Sequence, residues 1–294
     1  MYFDLYVPVR SPTSAGPETS KKGKGKGPAR ASPDSFFSAG DIAAIETRIE
    51  LLVHLGYTVL AFTQTAHKKV DGKSHINVLN PLLARLRPRP GIVYLKRLNI
   101  VLDDESEKGF GLTAANATLF NGYDIIGLVP TTQGALSLAC LTHSQPSSLT
   151  AHIISVPLTL PRLPYRMKHT LVRTALKNGV VFEIMYAGAI GDSDPALVDV
   201  GAAENGGAAK RNWWASAREL VRVTKGKGLI VSSGVHRDVE LRAPRDIGNI
   251  IILLGLAQNA AHDASTNAPK SLIIRAQTRK TYRAVLSDPK IVIP

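Results

Sequence analysis

Short apolar runs recur along this chain, and each leads into a segment with helical spacing or a loop before one. Tyr2 to Val7 favours a strand. Thr58-Val59-Leu60-Ala61-Phe62 and Ile92-Val93-Tyr94-Leu95, extending towards Leu102, follow it. The series continues with Asp124 to Val129, His152 to Val156, Val180 to Met185 and Leu229-Ile230-Val231. Between them, helical spacing appears at Ile42, Ile45, Ile49, Leu52 and Leu55, with Asp41 as the expected N-cap and Gly56 as the stop. Further helices are expected from Thr113 to Phe120, around Cys140, from Arg166 to Asn178, and from Lys210 onward. Strands and helices in alternation, with strands this short and apolar, imply a parallel sheet covered by helices.

Seven strands are clear, and Leu272-Ile273-Ile274 offers an eighth beginning at Ser271. Two stretches break the pattern. Residues Arg10 to Asp34 are rich in Ser, Pro, Gly and Lys, a composition that cannot offset its ordering entropy and reads as a disordered basic insertion. Gly191 to Ala209 is a second insertion, rich in Gly and Ala and carrying Asp192, Asp194, Asp199 and Glu204. Without the two, 250 residues remain, close to the ~250 of an eight-stranded α/β barrel. No Gly-x-Gly-x-x-Gly follows the first strand, which argues against an open dinucleotide-binding sheet. The expected fold is α/β and TIM-barrel-like, with seven or eight parallel strands in a single domain spanning residues 1–294.

The formal net charge is +13, and the first insertion, with six basic and two acidic residues, supplies only +4 of it. A folded remainder near +9 points to a polyanionic partner such as nucleic acid. The single cysteine, Cys140, lies in an apolar run, excludes an internal disulfide and reads as a buried structural thiol in a reducing compartment. No apolar run approaches the ~20 residues needed to span a bilayer, so a soluble intracellular protein is expected, with no membrane partner.

Catalytic patterns fail one by one. The eight histidines form no H-x-H, H-E-x-x-H or H-x-x-x-H spacing, so no protein-bound metal is expected. His236-Arg237-Asp238 has Ala243 where a kinase catalytic loop needs asparagine, and Ser232-Ser233-Gly234 has Ile230 where a nucleophile elbow needs glycine. Lys227-Gly228 is a turn into a strand and not a phosphate-binding loop, which would end in Gly-Lys-Ser/Thr. No catalytic residue is expected.

Basic residues are more informative. On the Lys210 helix, Trp213, Ala217, Leu220 and Val221 share one face, and Arg211, Trp214, Arg218, Arg222 and Lys225 another. A solvated basic face is the ordinary reading of one such helix. Lys227 in the next turn, and Arg237, Arg242 and Arg245 beyond the next strand, favour phosphate contacts gathered around a strand end, with Trp214 available for base stacking. Lys96, Arg97 and Lys168 complete the expected RNA-binding set. Ser232 and Ser233 read as close-approach backbone at the strand end. Glu183 and Asp246, in apolar or basic settings, read as ion-pair partners of such arginines.

These residues also carry a resemblance. Phe182-Glu183-Ile184-Met185-Tyr186, the run Thr224 to Gly234, and Leu241-Arg242-Ala243-Pro244-Arg245-Asp246-Ile247 resemble the family of ribonuclease P and ribonuclease MRP protein subunits of roughly thirty kilodaltons; Phe3-Asp4-Leu5 and Gly255-Leu256 match as well. The family usually has Ser and Tyr where this chain has Ala243 and Arg245. The resemblance covers the chain apart from its two insertions. It implies a barrel related to the polymerase and histidinol phosphatase phosphoesterases, whose first strand carries Asp-x-His-x-His. Here Asp4-Leu5-Tyr6-Val7-Pro8 puts Tyr6 and Pro8 in the histidine positions. Tyrosine is a poor substitute for imidazole and proline has no ligand atom. The resemblance therefore implies a non-catalytic nuclear, and nucleolar, subunit that supports the particle RNA and its Mg2+ ions in removing the 5′ leader from precursor tRNA. It further implies sister subunits, among them a small ferredoxin-like one. A surviving metal-dependent phosphoesterase, or a free RNA-binding protein, are the other readings.

Overall fold

The computed structural model of the chain describes residues 1–9, 36–67, 69–72, 75–102, 110–190 and 206–282. The expected disordered insertion, residues 10–34, lies outside them, as does most of the second insertion.

Seven parallel strands stand in the order of the sequence. In chain order the elements are β1 (Tyr2–Pro8), α1 (Ala39–His54), β2 (Tyr57–His67), α2 (Leu79–Arg85), β3 (Val93–Leu102), α3 (Ala117–Asn121) and β4 (Ile125–Pro130). There follow α4 (Gln133–Leu141), β5 (Ile153–Ser155), α5 (His169–Lys177), β6 (Val181–Met185), α6 (Ala187–Ile190) and α7 (Gly206–Thr224). The chain continues with β7 (Leu229–Ser232), α8 (Pro244–Leu253), α9 (Gln258–Ser265) and α10 (Asn267–Tyr282). Every neighbouring pair from β1 to β7 is parallel, so each crossover passes over the outside of the sheet, as the alternating apolar runs require.

The sheet curls until its two edges meet. Asp4 Oδ1 accepts the Ser233 amide at 2.9 Å, Ser233 Oγ donates to the Tyr6 carbonyl at 3.0 Å, and the Gly234 amide donates to the same carbonyl at 3.2 Å. These bonds fasten β1 to the end of β7, giving a nearly closed TIM-barrel-like wall of seven strands.

Strand side chains alternate between barrel interior and helix layer. Outward residues such as Leu60, Leu98, Leu128, Ile154, Phe182 and Val231 join one large core with the surrounding helices. Inward residues from the first halves of the strands, Phe3, Leu5, Val59, Leu95, Ile125, Ile153, Val181 and Ile230, form a separate apolar layer. Leu272 of α10 belongs to that layer, so α10 closes the end of the barrel at which the strands begin.

The segment from Ser271 is thus helix α10 and not an eighth strand. Ala268, Leu272 and Ala276 recur at i, i+4, and Leu272 and Ala276 are buried while Ile274 is exposed, which is the pattern of one helix face. The N-cap of α1 also shifts from the expected Asp41 to Ser38. Ser38 accepts the Asp41 amide at 3.1 Å and Asp41 returns a bond to the Ser38 amide at 2.9 Å, a reciprocal capping box. Residues 206–209, expected in the second insertion, form the first turn of α7. Cys140 is buried on α4 as expected, and burial pushes its thiol up to about 12. Among the described residues no helix is long and apolar enough to cross a membrane.

Candidate nucleic-acid interface

A TIM-barrel fold offers its inward side chains at the carboxyl ends of the strands for chemistry. Here that layer is polar and closed. Arg97 projects from β3, two residues beyond the apolar-layer residue Leu95, and Glu183 from β6, two beyond Val181. Their side chains are 0 % exposed. Arg97 Nη1 lies 2.6 Å from Glu183 Oε1, and Nη2 lies 2.5 Å from Oε2. The guanidinium also donates to the Leu5 carbonyl at 2.7 Å, to Asn99 Oδ1 at 3.0 Å and to Ser155 Oγ at 3.1 Å. Ser155 Oγ donates in turn to Glu183. The Tyr6 ring lies against the cation, its centroid 4.7 Å from Cζ.

Gly127 of β4 makes this packing possible. A Cβ at Gly127 would stand 2.1 Å from Asn99 Oδ1 and 3.1 Å from Arg97 Nη2. A second carboxyl, Asp4 of β1, is fully buried and its acidity is weakened chiefly by desolvation. Hydrogen bonds from Ser233 and Tyr6 oppose that effect, and the charge of Glu183 adds to it.

A metal of the phosphoesterase type does not fit these residues. Tyr6 is packed on Arg97, both oxygens of Glu183 are taken by a fixed cation, and Pro8 brings no ligand atom. Among the described residues no three His, Cys, Asp or Glu side chains are grouped to hold a metal ion. A guanidinium sits among the interior oxygen ligands instead.

The structure corrects several expected roles. Arg97 is not a surface cation; its charge is matched inside the barrel. Glu183 does pair with an arginine, but with Arg97 and not with those beyond β7. Asp246 has no ion-pair partner among the described residues; it is exposed in the first turn of α8, where a carboxylate is favoured by the helix dipole. Trp214 is half-buried and packs edge-on against Trp213, with centroids 5.1 Å apart, which leaves it a poor stacking platform. Trp213 is buried and donates from Nε1 to the Met185 carbonyl at 2.8 Å.

The expected cluster of cations at one strand end is divided between two. Lys225 and Lys227 precede β7, whereas Arg242 and Arg245 follow it, at the opposite end of the barrel wall. Arg242 is half-buried and donates to the Val239 and Leu241 carbonyls at 2.8 Å, and Arg245 is exposed on α8. Lys96 is half-buried on the outside of β3, with Nζ 3.0 Å from Asn80 Oδ1. Lys168 is exposed at the N-cap of α5, a place where a cation opposes the helix dipole. Ser232 and Ser233 are both buried, and Ser233 holds the seam.

Of the expected cations, those of α7 share one exposed helix face. Arg211, Arg218 and Arg222 are exposed, and their spacing puts them within about 40° of one another around the helix. Arg222 is paired with Glu219 at 2.7 Å, an exposed i, i+3 contact that holds the guanidinium only loosely. Beside this face a groove of about 1000 Å³ runs between α7 and the β5–α5 loop. Two more exposed arginines line it, Arg162 and Arg166, neither in the expected RNA-binding set; Arg166, expected to begin a helix, lies in the loop before α5.

Comparison with known proteins agrees with the barrel. The chain is 28% identical over 261 residues to the ribonuclease P protein subunit p30 of Mus musculus, covering 86% of this chain and 88% of that protein. It is 24% identical over 230 residues to the ribonuclease P/MRP protein subunit RPP1 of Saccharomyces cerevisiae, covering 76% and 70%. In fold it is similar to a chain of an archaeal ribonuclease P structure with mature tRNA, at a TM-score of 0.57 and 13% identity, covering 85% of this chain and 94% of that one. The family model for RNase P subunit p30 matches residues 1–281. By that match over nearly its whole length, the chain belongs to the RNase P subunit p30 family.

Proposed function

We propose that this protein is a non-catalytic, RNA-binding subunit of a nuclear ribonuclease P particle, and of its MRP counterpart. It supports the RNA-catalysed removal of the 5′ leader from precursor tRNA. The particle RNA carries the Mg2+ ions and performs the hydrolysis. The protein neutralises phosphates, holds the RNA fold and docks sister subunits, including a small ferredoxin-like one, with the nucleolus as a place of work. Precursor tRNA is met only through the particle.

One observation carries this reading: the position where a barrel of this kind does chemistry is filled by the Arg97–Glu183 pair, while Arg211, Arg218 and Arg222 are exposed on α7. A fixed guanidinium can neither activate water nor leave to admit a metal without exposing a buried carboxylate. The family membership supports the particle as partner. The phosphoesterase reading would need a metal that these interior residues do not accommodate.

The test is a salt titration of RNA affinity with Arg218→Ala/Arg222→Ala. If both residues contact phosphate, the slope of log affinity against log salt shrinks by about 1.4 to 1.8. An unchanged slope would return this face to solvent or to a protein interface. Tightly bound zinc or manganese in stoichiometric amount, with phosphatase activity, would overturn the non-catalytic reading. Affinity purification followed by RNA sequencing should recover the particle RNA above all others.

A further inference from the structure

At the end of the barrel where the strands begin, a cavity of about 540 Å³ opens between the ends of α5 and α7 and the side of α10. Its apolar floor includes Leu176 and Val180. Arg173 and Lys177 reach it from α5, Lys225 and Lys227 from the turn into β7, and Arg275 from α10. Among the described residues no carboxylate lines it, and none of these five cations has an acidic partner.

Part of this charge has an ordinary explanation. The carboxyl ends of α5 and α7 face the cavity, and lysine there complements the helix dipole. Two helix ends together amount to roughly one negative charge, against five cations. A surplus of about four positive charges remains around one concavity. Because three separate elements supply it, it is not the solvated face of a single helix.

Two details set the site apart from ordinary surface lysines. Arg275 is half-buried, with its Nε only 3.3 Å from its own helix's Ser271 carbonyl and no counter-ion. It bears a desolvation cost that a bound anion would offset. Lys225 is the only non-glycine with positive φ among the described residues, at φ 56° just past α7, where glycine is the favoured residue. A lysine in a glycine position retains strain that its side chain does not offset by a hydrogen bond or ion pair among the described residues.

We propose that this cavity is a phosphate-binding subsite for an RNA backbone, distinct from the groove beside the second half of α7 and reached from it through Arg222. It rests on the RNA-binding reading above and adds where the strand goes. Arg211, Arg218 and Arg222 lead along α7 to Lys225, a path of about 21 Å at 1.5 Å per residue. A run of cations along one helix face, ending in a basic cavity, suits a continuous polyanion better than the scattered carboxylates of an acidic protein segment.

The experiment uses the full chain and a labelled RNA hairpin, with affinity measured across a KCl series, and a polyglutamate peptide as second probe. Arg173→Ala/Lys177→Ala should weaken RNA binding and reduce the salt slope by about 1.4 to 1.8. Lys225→Gly should reduce the slope by about 0.7 to 0.9 while raising the melting temperature, since glycine adopts that φ without strain. Weaker binding in a more stable protein excludes misfolding as the cause. Unchanged slopes in these variants, with a reduced slope in Arg211→Ala/Arg218→Ala, would overturn the cavity and leave RNA binding by α7 intact. Failure of the unaltered protein to bind RNA overturns both readings. If the cavity variants lose polyglutamate but not RNA, the site belongs to an acidic protein partner and the inference fails.

Discussion

Arg97 and Glu183 meet fork to fork across the barrel interior, from strands β3 and β6, with neither side chain reaching solvent. The guanidinium has further acceptors in Leu5, Asn99 and Ser155, so the pair is the centre of a hydrogen-bonded layer and not an isolated contact. In a TIM-barrel fold such a layer usually faces a substrate; here it faces itself.

Removing one partner should therefore be far worse than removing both. Glu183→Gln leaves the Arg97 cation buried without a counter-charge and is expected to cost about 3 to 5 kcal/mol. The volume-matched pair Arg97→Met/Glu183→Leu should cost less than either single change would suggest. Urea unfolding of Glu183→Gln, Arg97→Met and the double variant gives the comparison. Single substitutions that each cost under about 1 kcal/mol would contradict a closed, desolvated pair.

Asp4 gives the fold a pH dependence of definite sign. Burial holds its carboxyl above the ordinary value of 3.8, so the folded chain binds this proton more tightly than the unfolded chain. Its contribution to stability is complete below the unfolded pKa. It falls as pH rises towards the folded pKa, by at most about 1.4 kcal/mol per pH unit. Asp4→Asn keeps an acceptor for the Ser233 and Tyr6 amides and removes the ionisation. The stability of the variant relative to the natural chain should rise with pH from about pH 4 upward and then level off. Thermal unfolding at a series of pH values measures it, and a difference independent of pH would remove Asp4 as the source.

Gly127 tests the packing of the same layer. Its φ is ordinary, so Gly127→Ala acts through space alone: the new Cβ would meet Asn99 Oδ1 and Arg97 Nη2. We expect a loss of about 1 to 3 kcal/mol, the usual range for overpacking. Asn99→Ala removes the nearer atom, so a double-mutant cycle should show Gly127→Ala costing less in that background. Strict additivity would mean that the two residues do not crowd each other.

The strands were legible because strands buried on both faces are written as apolar runs, and Leu229-Ile230-Val231 needs no neighbour to identify it. The helix faces of α7 were legible for the same reason, since Trp213, Ala217, Leu220 and Val221 repeat at helical spacing and are all buried. Leu272-Ile273-Ile274 misled because three apolar residues fit either state; the i, i+4 recurrence of Ala268, Leu272 and Ala276 was the better signal. The expected N-cap of α1 is Asp41; Ser38, three residues earlier, holds that place and Asp41 completes the capping box from the first turn.

Arg97 was the more instructive error. Beside Lys96 it looked like half of a surface patch, but side chains alternate in a strand, so two adjacent cations point opposite ways. Leu95 and Asn99 share its face, and a glutamate within the apolar run of β6 was waiting for a partner. The cavity below the barrel had no such clue, because Arg173, Lys225 and Arg275 come together only when α5, α7 and α10 are packed.

The seam between β1 and β7 also has a consequence for how the protein is made. Asp4 and the Ser233 amide that it accepts are 229 positions apart, and Leu272, which caps the inner apolar layer, follows later still. At about 5 to 20 residues per second on the ribosome, the outer edge of β1 waits roughly 10 to 50 s for its fastening. Throughout that interval the newborn chain carries an unpaired strand edge, open to pairing with other chains. The first strand to be synthesised is among the last to be secured.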